Sequence, residues 1–120
     1  MANEITVSAS LRVTNGNLNE SISTGTLQFT QAASGGPTPG YVTIGTSEES
    51  FTFPELSTEG WCYLKNIDST NYVQWGFSTG VYGGRLEANE FALFRLEPSV
   101  TLYMKANTAS CKCIVKAFED

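Results

Sequence analysis

Glycine and proline cut this chain into short pieces, and the pieces alternate. Eleven Gly and four Pro are spread through 120 residues, so no segment keeps a helical period long enough to form an extended helix. Between the breaks, apolar and polar residues follow one another with a period of two, the signature of strands with one buried face. The clearest case is CKCIVKAF (111–118), where Cys111, Cys113, Val115 and Ala117 share one face and Lys112, Ile114, Lys116 and Phe118 the other. VTLYMKA (100–106) repeats the pattern, with Val100, Leu102, Met104 and Ala106 on its apolar side.

The same reading divides the rest of the chain. EITVSASLRV (4–13) alternates as one half-buried strand, and Asn15-Gly16 is a strong turn signal. A second strand is centred on Leu27 and Phe29, with Gly25 marking its start or a bulge. Residues 32–40, AASGGPTPG, read as a flexible loop unable to hold a ladder, because proline lacks the donor and glycine loses most entropy on ordering. Short strands follow at 41–44 and 50–53, and WCYLKNI (61–67) with YVQWGF (72–77) read as a hairpin about the turn at Asp68–Asn71. Helix formers at 85–90 are outweighed by the aromatic run Phe91–Phe94, which favours a turn at Ala88-Asn89 and a strand over 90–96. Eight or nine such strands in one chain of this length predict a single all-β domain over 1–120, an antiparallel β-sandwich or jelly-roll-like fold with an extended amino-terminal strand.

Chemistry is constrained by what is missing. With no histidine, Ser-His-Asp and Cys-His nucleophilic arrangements cannot be built, nor can a His-based zinc centre. Carboxylate pairs remain, Glu55 with Glu59 and Glu87 with Glu90, but all four fall in expected turns and read as loop carboxylates. Cys111 and Cys113 stand on one face of a strand, with Cys62 as a third thiol; this falls short of a four-ligand zinc knuckle, and core thiols are expected. Parallel neighbours on one strand are also badly placed to form a disulfide. The sequence therefore predicts no enzyme, with no catalytic, cofactor-binding or metal-ligating residues and no cofactor.

Two features point to binding instead. Trp61, Tyr63, Tyr72 and Trp75 lie in the expected hairpin and could present a stacking platform for a sugar, although core packing is the commoner use of such rings. Lys65, Arg95, Lys105, Lys112 and Lys116 fall in the strand-rich half, where they solvate strand faces or make up a basic face for an acidic partner. The net charge of −5 opposes phosphate backbones and anionic bilayers, so neither nucleic acid nor membrane is an expected partner. No basic stretch with a following apolar run marks a signal peptide in MANEITVSAS, and three cysteines are too few for a disulfide scaffold, so synthesis in a cytoplasm with reduced thiols is expected.

The segments GWCYLKNIDSTNYVQWG (60–76), FALFRLEP (91–98) and TLYMKANTASCKC (101–113) together resemble small virion structural proteins of tailed bacteriophages. The resemblance covers roughly residues 60–118, and the first half of the chain resembles nothing comparable. It implies a capsid cement or decoration protein on the outer surface of the virion, with the phage major capsid protein as partner and a homo-oligomer, such as a trimer, as its working form. Tyr103 and Phe118 are then candidates for rings near the oligomer axis. Tail, neck or head-fibre components are the alternative within the same class, and a carbohydrate-binding module the alternative outside it.

Overall fold

The structure, a computed structural model, describes residues 3–120. The chain divides into two compact units, the first running to Ala32 and the second from Ala33 to Asp120. Strand pairing is antiparallel throughout, and the described residues contain no helix. Among the described residues no helix is therefore long and apolar enough to cross a membrane.

The first unit contains β1 (Ile5–Val7), β2 (Ser10–Asn15), β3 (Leu18–Ser23) and β4 (Leu27–Phe29). β2 and β3 form a hairpin that turns where Asn15-Gly16 indicates, with Asn15 opposite Leu18 and Gly16 at φ 57°. Only glycine takes that left-handed conformation without a Cβ penalty. β1 pairs with β4, setting Ile5 opposite Phe29 and Val7 opposite Leu27. The single strand expected over 4–13 is thus two strands. They are separated at Ser8-Ala9, where the Ala9 N–H donates to the Thr24 hydroxyl at 3.0 Å and the Ala9 carbonyl accepts the Thr24 N–H at 3.0 Å. Ile5 and Val7 are half-buried, but all of β2 is exposed. β3 is also an addition, because its Asn, Glu and Ser residues are weak strand formers that pair once the turn has set their register.

The second unit contains β5 (Thr38–Ile44), β6 (Glu49–Phe51), β7 (Glu59–Asn66), β8 (Val73–Gly76), β9 (Gly84–Leu86), β10 (Phe91–Arg95), β11 (Leu102–Ala106) and β12 (Cys111–Glu119). They make two four-stranded sheets, one ordered β10-β7-β12-β5 and the other β6-β11-β8-β9. Alternation places the core as expected. Cys111, Cys113, Val115 and Ala117 of β12 and Leu102, Met104 and Ala106 of β11 are fully buried, joined by Cys62, Leu64, Val73, Leu86 and Ile44 in one cluster. Phe53, beyond the end of β6 rather than inside a strand, fills the same core.

Two further expectations are corrected. β7 and β8 do not form a hairpin: β7 pairs with β10 and β12, whereas β8 pairs with β11 and β9. The chain changes sheets between them, and Asn66 holds the crossing. Its buried side-chain amide donates to the carbonyls of Asn71 (2.8 Å), Leu86 (3.1 Å) and Glu87 (3.3 Å), and its oxygen accepts the Asp68 N–H at 3.0 Å. Residues 32–40 are not wholly loop either. Thr38, Pro39 and Gly40 lie in β5 opposite Ala117, Lys116 and Val115 of β12. Proline is tolerated because β5 is the edge strand, where its missing donor would have faced no neighbour.

Candidate functional site

Side chains opposite in parity to the core cover the outer face of the β10-β7-β12-β5 sheet, and strand pairing arranges them in rows. One row runs Phe91, Lys65, Ile114, Tyr41 across the four strands; the next runs Leu93, Tyr63, Lys116, Pro39. Arg95 opposite Trp61 begins a third row at one side, and Lys112 opposite Thr43 lies at the other. None of these residues is acidic. Four of the chain's seven cations therefore share one face with an aromatic and aliphatic carpet, in a protein whose net charge is −5.

The rings and cations are interleaved. Tyr63 stacks on Phe91 with centroids 6.1 Å apart, the Arg95 guanidinium lies 5.4 Å from the Trp61 ring, and the Lys116 ammonium 5.8 Å from the Tyr41 ring. Lysine and arginine stems can cover apolar surface while their charged ends stay hydrated, and cations over ring faces add an electrostatic attraction. Tyr41 is 73% exposed and Phe91 57%, so the carpet is uncovered at both sides of the sheet. Exposed rings and aliphatic side chains interleaved with cations on one sheet face suit an interaction site better than an ordinary solvated face.

Of the carboxylates at the end of the chain, Asp120 pairs with Arg95 of this face at 2.5 Å. Glu119 is buried and accepts the Ser57 N–H (3.0 Å), the Ser57 hydroxyl (2.8 Å) and the Thr58 N–H (2.6 Å), hydrogen bonds that hold its carboxyl below the usual range. In the connections before β6 and between β8 and β9, the hydroxyl of Thr79 and then that of Tyr82, with the Gly80 N–H, likewise lower the carboxyl of Glu48, and the Tyr82 phenol is pushed up to about 12 by that same carboxylate.

Of the carboxylate pairs singled out in the sequence, Glu59 and Glu90 accept backbone N–H groups and Glu87 pairs with the Arg85 guanidinium at 3.4 Å. Glu59 is buried and accepts the Ser99 N–H at 2.8 Å, while Glu55 is exposed in the preceding loop. Glu90 accepts the Glu87 N–H at 2.8 Å across the turn that contains Asn89 at φ 66°. Cys62, Cys111 and Cys113 are free and buried in the core, and desolvation raises all three thiols, those of Cys62 and Cys113 to about 12. No cluster of three or more His, Cys, Asp or Glu side chains suited to a metal ion occurs among the described residues.

The structure divides the four aromatics of the expected platform. Trp61 and Tyr63 stand on the outer face, but Trp75 lies on the core side of its sheet, stacked on Phe94 at 5.0 Å and 5°, with Phe77 edge-on to both at 5.9 Å. Tyr72 lies under the Arg85 guanidinium, 3.9 Å from its centroid. The basic set is likewise one residue smaller on this face, since Lys105 belongs to β11 in the other sheet. Tyr41, Phe91 and Leu93 join the face without having been singled out for it; the alternation Phe91, Leu93, Arg95 was the available signal. Tyr103 and Phe118 are half-buried and lie outside the core cluster.

No protein-family model matches the chain, and no curated protein and no solved structure matches it.

Proposed function

We propose that this chain is a non-enzymatic structural protein of a bacteriophage virion, a capsid cement or decoration protein that attaches through the outer face of the β10-β7-β12-β5 sheet. In this reading the two sheets form a β-sandwich about their common core, the protein is made in the host cytoplasm, and its partner is an acidic patch on the outer surface of the major capsid protein. The observation that carries the proposal is the segregation of Lys65, Arg95, Lys112 and Lys116 among exposed rings and aliphatic side chains on one sheet face of an acidic chain. Apolar contact supplies affinity once the face is covered. The cations select an acidic surface and speed the encounter. A lattice offers many identical sites, so a modest contact per copy suffices when copies are also linked to one another.

Tyr63 stacked on Phe91 beside Trp61 also favours a second reading, a module that binds carbohydrate. Neutral sugars ask for hydrogen-bond acceptors as well as donors, whereas Lys and Arg only donate. An acidic protein surface suits the face better.

Co-sedimentation of the purified chain with capsid shells and with isolated tails tests the proposal. Saturation of the shell at a copy number comparable to that of the capsid subunits, weakened by added salt as screening requires, is the expected result. A few copies on tails or a vertex would replace it with a tail, neck or head-fibre role. Binding to neither, with retention on an oligosaccharide array, would replace it with the carbohydrate reading.

A further inference from the structure

β5 leaves half of its backbone groups at an open edge. The Lys112 carbonyl accepts the Ile67 N–H at 3.0 Å, so Lys112, Ile114 and Lys116 turn their peptide groups toward β7. Backbone direction alternates along an antiparallel strand. The peptide groups of Cys111, Cys113, Val115 and Ala117 therefore face Ile44, Val42, Gly40 and Thr38 of β5, while those of Pro39, Tyr41 and Thr43 point away from β12. No strand lies beyond β5 among the described residues. Pro39 has no N–H to offer, and past the strand end the Gly45 carbonyl already accepts the Ala106 N–H at 2.9 Å. The open stretch is thus Tyr41 to Thr43, beside a depression of about 390 Å³ lined by Tyr41, Val42, Thr43 and Lys112. Tyr41 is exposed, and Val42 is only half-buried at the rim of the core.

We infer that this edge takes up an extended acidic segment of the partner, which adds to the four-stranded sheet as a new strand beside β5. The inference rests on the reading above, that this face meets an acidic protein surface, and names the form that surface takes. Strand addition draws affinity from main-chain hydrogen bonds and selects by alternate side chains. The N–H and carbonyl groups of Tyr41 and Thr43 supply the hydrogen bonds. Selection comes from β12, where Lys112 stands behind Thr43 and Lys116 behind Pro39 on the outer face. The Lys116 ammonium lies 5.8 Å from the Tyr41 ring, so its stem leans across β5 toward the edge. A new strand lies about 4.8 Å beyond β5, which brings carboxylates at its alternate outward positions within reach of both lysines. Its inward positions cover Val42 and suit apolar side chains. A second β5 in that place would set the lysines of two copies against each other, and like charges across a contact are costly. The opposite edge is less suited, because Lys65 is the one cation on β7 behind β10 and Arg95 of β10 pairs with Asp120.

The test needs no capsid. The full isotope-labelled chain is titrated with a synthetic capped peptide of alternating Glu and Val, and amide hydrogen exchange is followed residue by residue. With peptide bound, the Tyr41 and Thr43 amides are expected to exchange at least about 10-fold more slowly, while the Leu93 amide of β10 is unchanged. A peptide of alternating Lys and Val is expected to bind at least about 10-fold more weakly. Thr43→Pro removes an outward donor at a place where an edge strand tolerates proline, and is expected to weaken binding of the Glu peptide about 10-fold; Thr43→Val, which keeps the donor, is expected to change it less than about 3-fold. No protection of Tyr41 and Thr43 at about 1 mM peptide would overturn the inference, as would equal binding of the Lys peptide or equal binding by Thr43→Pro. Capsid attachment is read separately by co-sedimentation. Shells that bind the native chain, with no protection of these amides by the peptide, would keep the attachment and remove strand addition; protection on a chain that shells do not bind would do the reverse.

Discussion

β2 and β12 carry the same pattern to opposite ends. Leu11 and Val13 alternate with Ser10, Arg12 and Thr14 as regularly as Cys113 and Val115 alternate with Lys112, Ile114 and Lys116. Yet every residue of β2 is exposed, whereas Cys111, Cys113, Val115 and Ala117 are fully buried. Alternation therefore establishes that a strand has an apolar side; it does not establish what covers that side. β12 is covered because it is a central strand between β7 and β5 and its inner face meets the core cluster. β2 belongs to a two-stranded ribbon with no second layer among its own residues.

The comparison is broken most directly at matched leucines. Leu64 lies at the centre of the core with no exposed surface, so Leu64→Ala should cost about 3 kcal/mol of stability through lost transfer and a residual cavity. Leu11→Ala should leave the unfolding of the second unit within about 0.5 kcal/mol. Urea titrations of both variants in dilute solution check this, and equal losses would mean that the ribbon has a core role. Next in size is Asn66→Ala, which strips three carbonyls of a buried donor and leaves the Asp68 N–H unpaired. A loss of about 2 kcal/mol is expected, with Asn66→Asp no better than Ala because a carboxylate cannot donate to those carbonyls.

The smallest effect sharpens the account by pH. Glu119 has a folded pKa below its ordinary 4.5, through the Ser57 hydroxyl and the Ser57 and Thr58 amides. A lowered carboxylate stabilises the fold fully above its unfolded pKa, and the contribution disappears as pH falls through the folded value. The native chain should therefore lose stability relative to Glu119→Gln as pH drops from 6 to about 3, read as converging urea midpoints. A constant gap across that range would show that Glu119 is protonated already or makes no difference as a charge.

These contrasts also show which parts were legible beforehand. β11, β12 and the turn at Ala88-Asn89 follow from residue pattern alone, because a period of two and a left-handed Asn are local facts. β7 and β8 were expected to pair because neighbours in sequence usually do, and nothing local in Asp68–Asn71 reveals that Asn66 clamps a crossing between sheets. Pro39 argued against a strand that exists at an edge, and edges are decided by the order of all four strands. The outer face was the least legible of all. Lys65, Phe91, Ile114 and Tyr41 are far apart in the chain, and only the order β10-β7-β12-β5 sets them in one row.

Attachment through that face is tested best by two charge reversals of equal size placed on different sheets. Lys112→Glu with Lys116→Glu alters the β12 face, while Lys105→Glu with Arg85→Glu makes the same change of net charge in the other sheet. Co-sedimentation with capsid shells should weaken at least about 10-fold for the first pair, a difference of about 1.4 kcal/mol, and less than about 2-fold for the second. Equal losses from both would mean that net charge rather than this face governs attachment, and no loss from the first would contradict the assignment of the face.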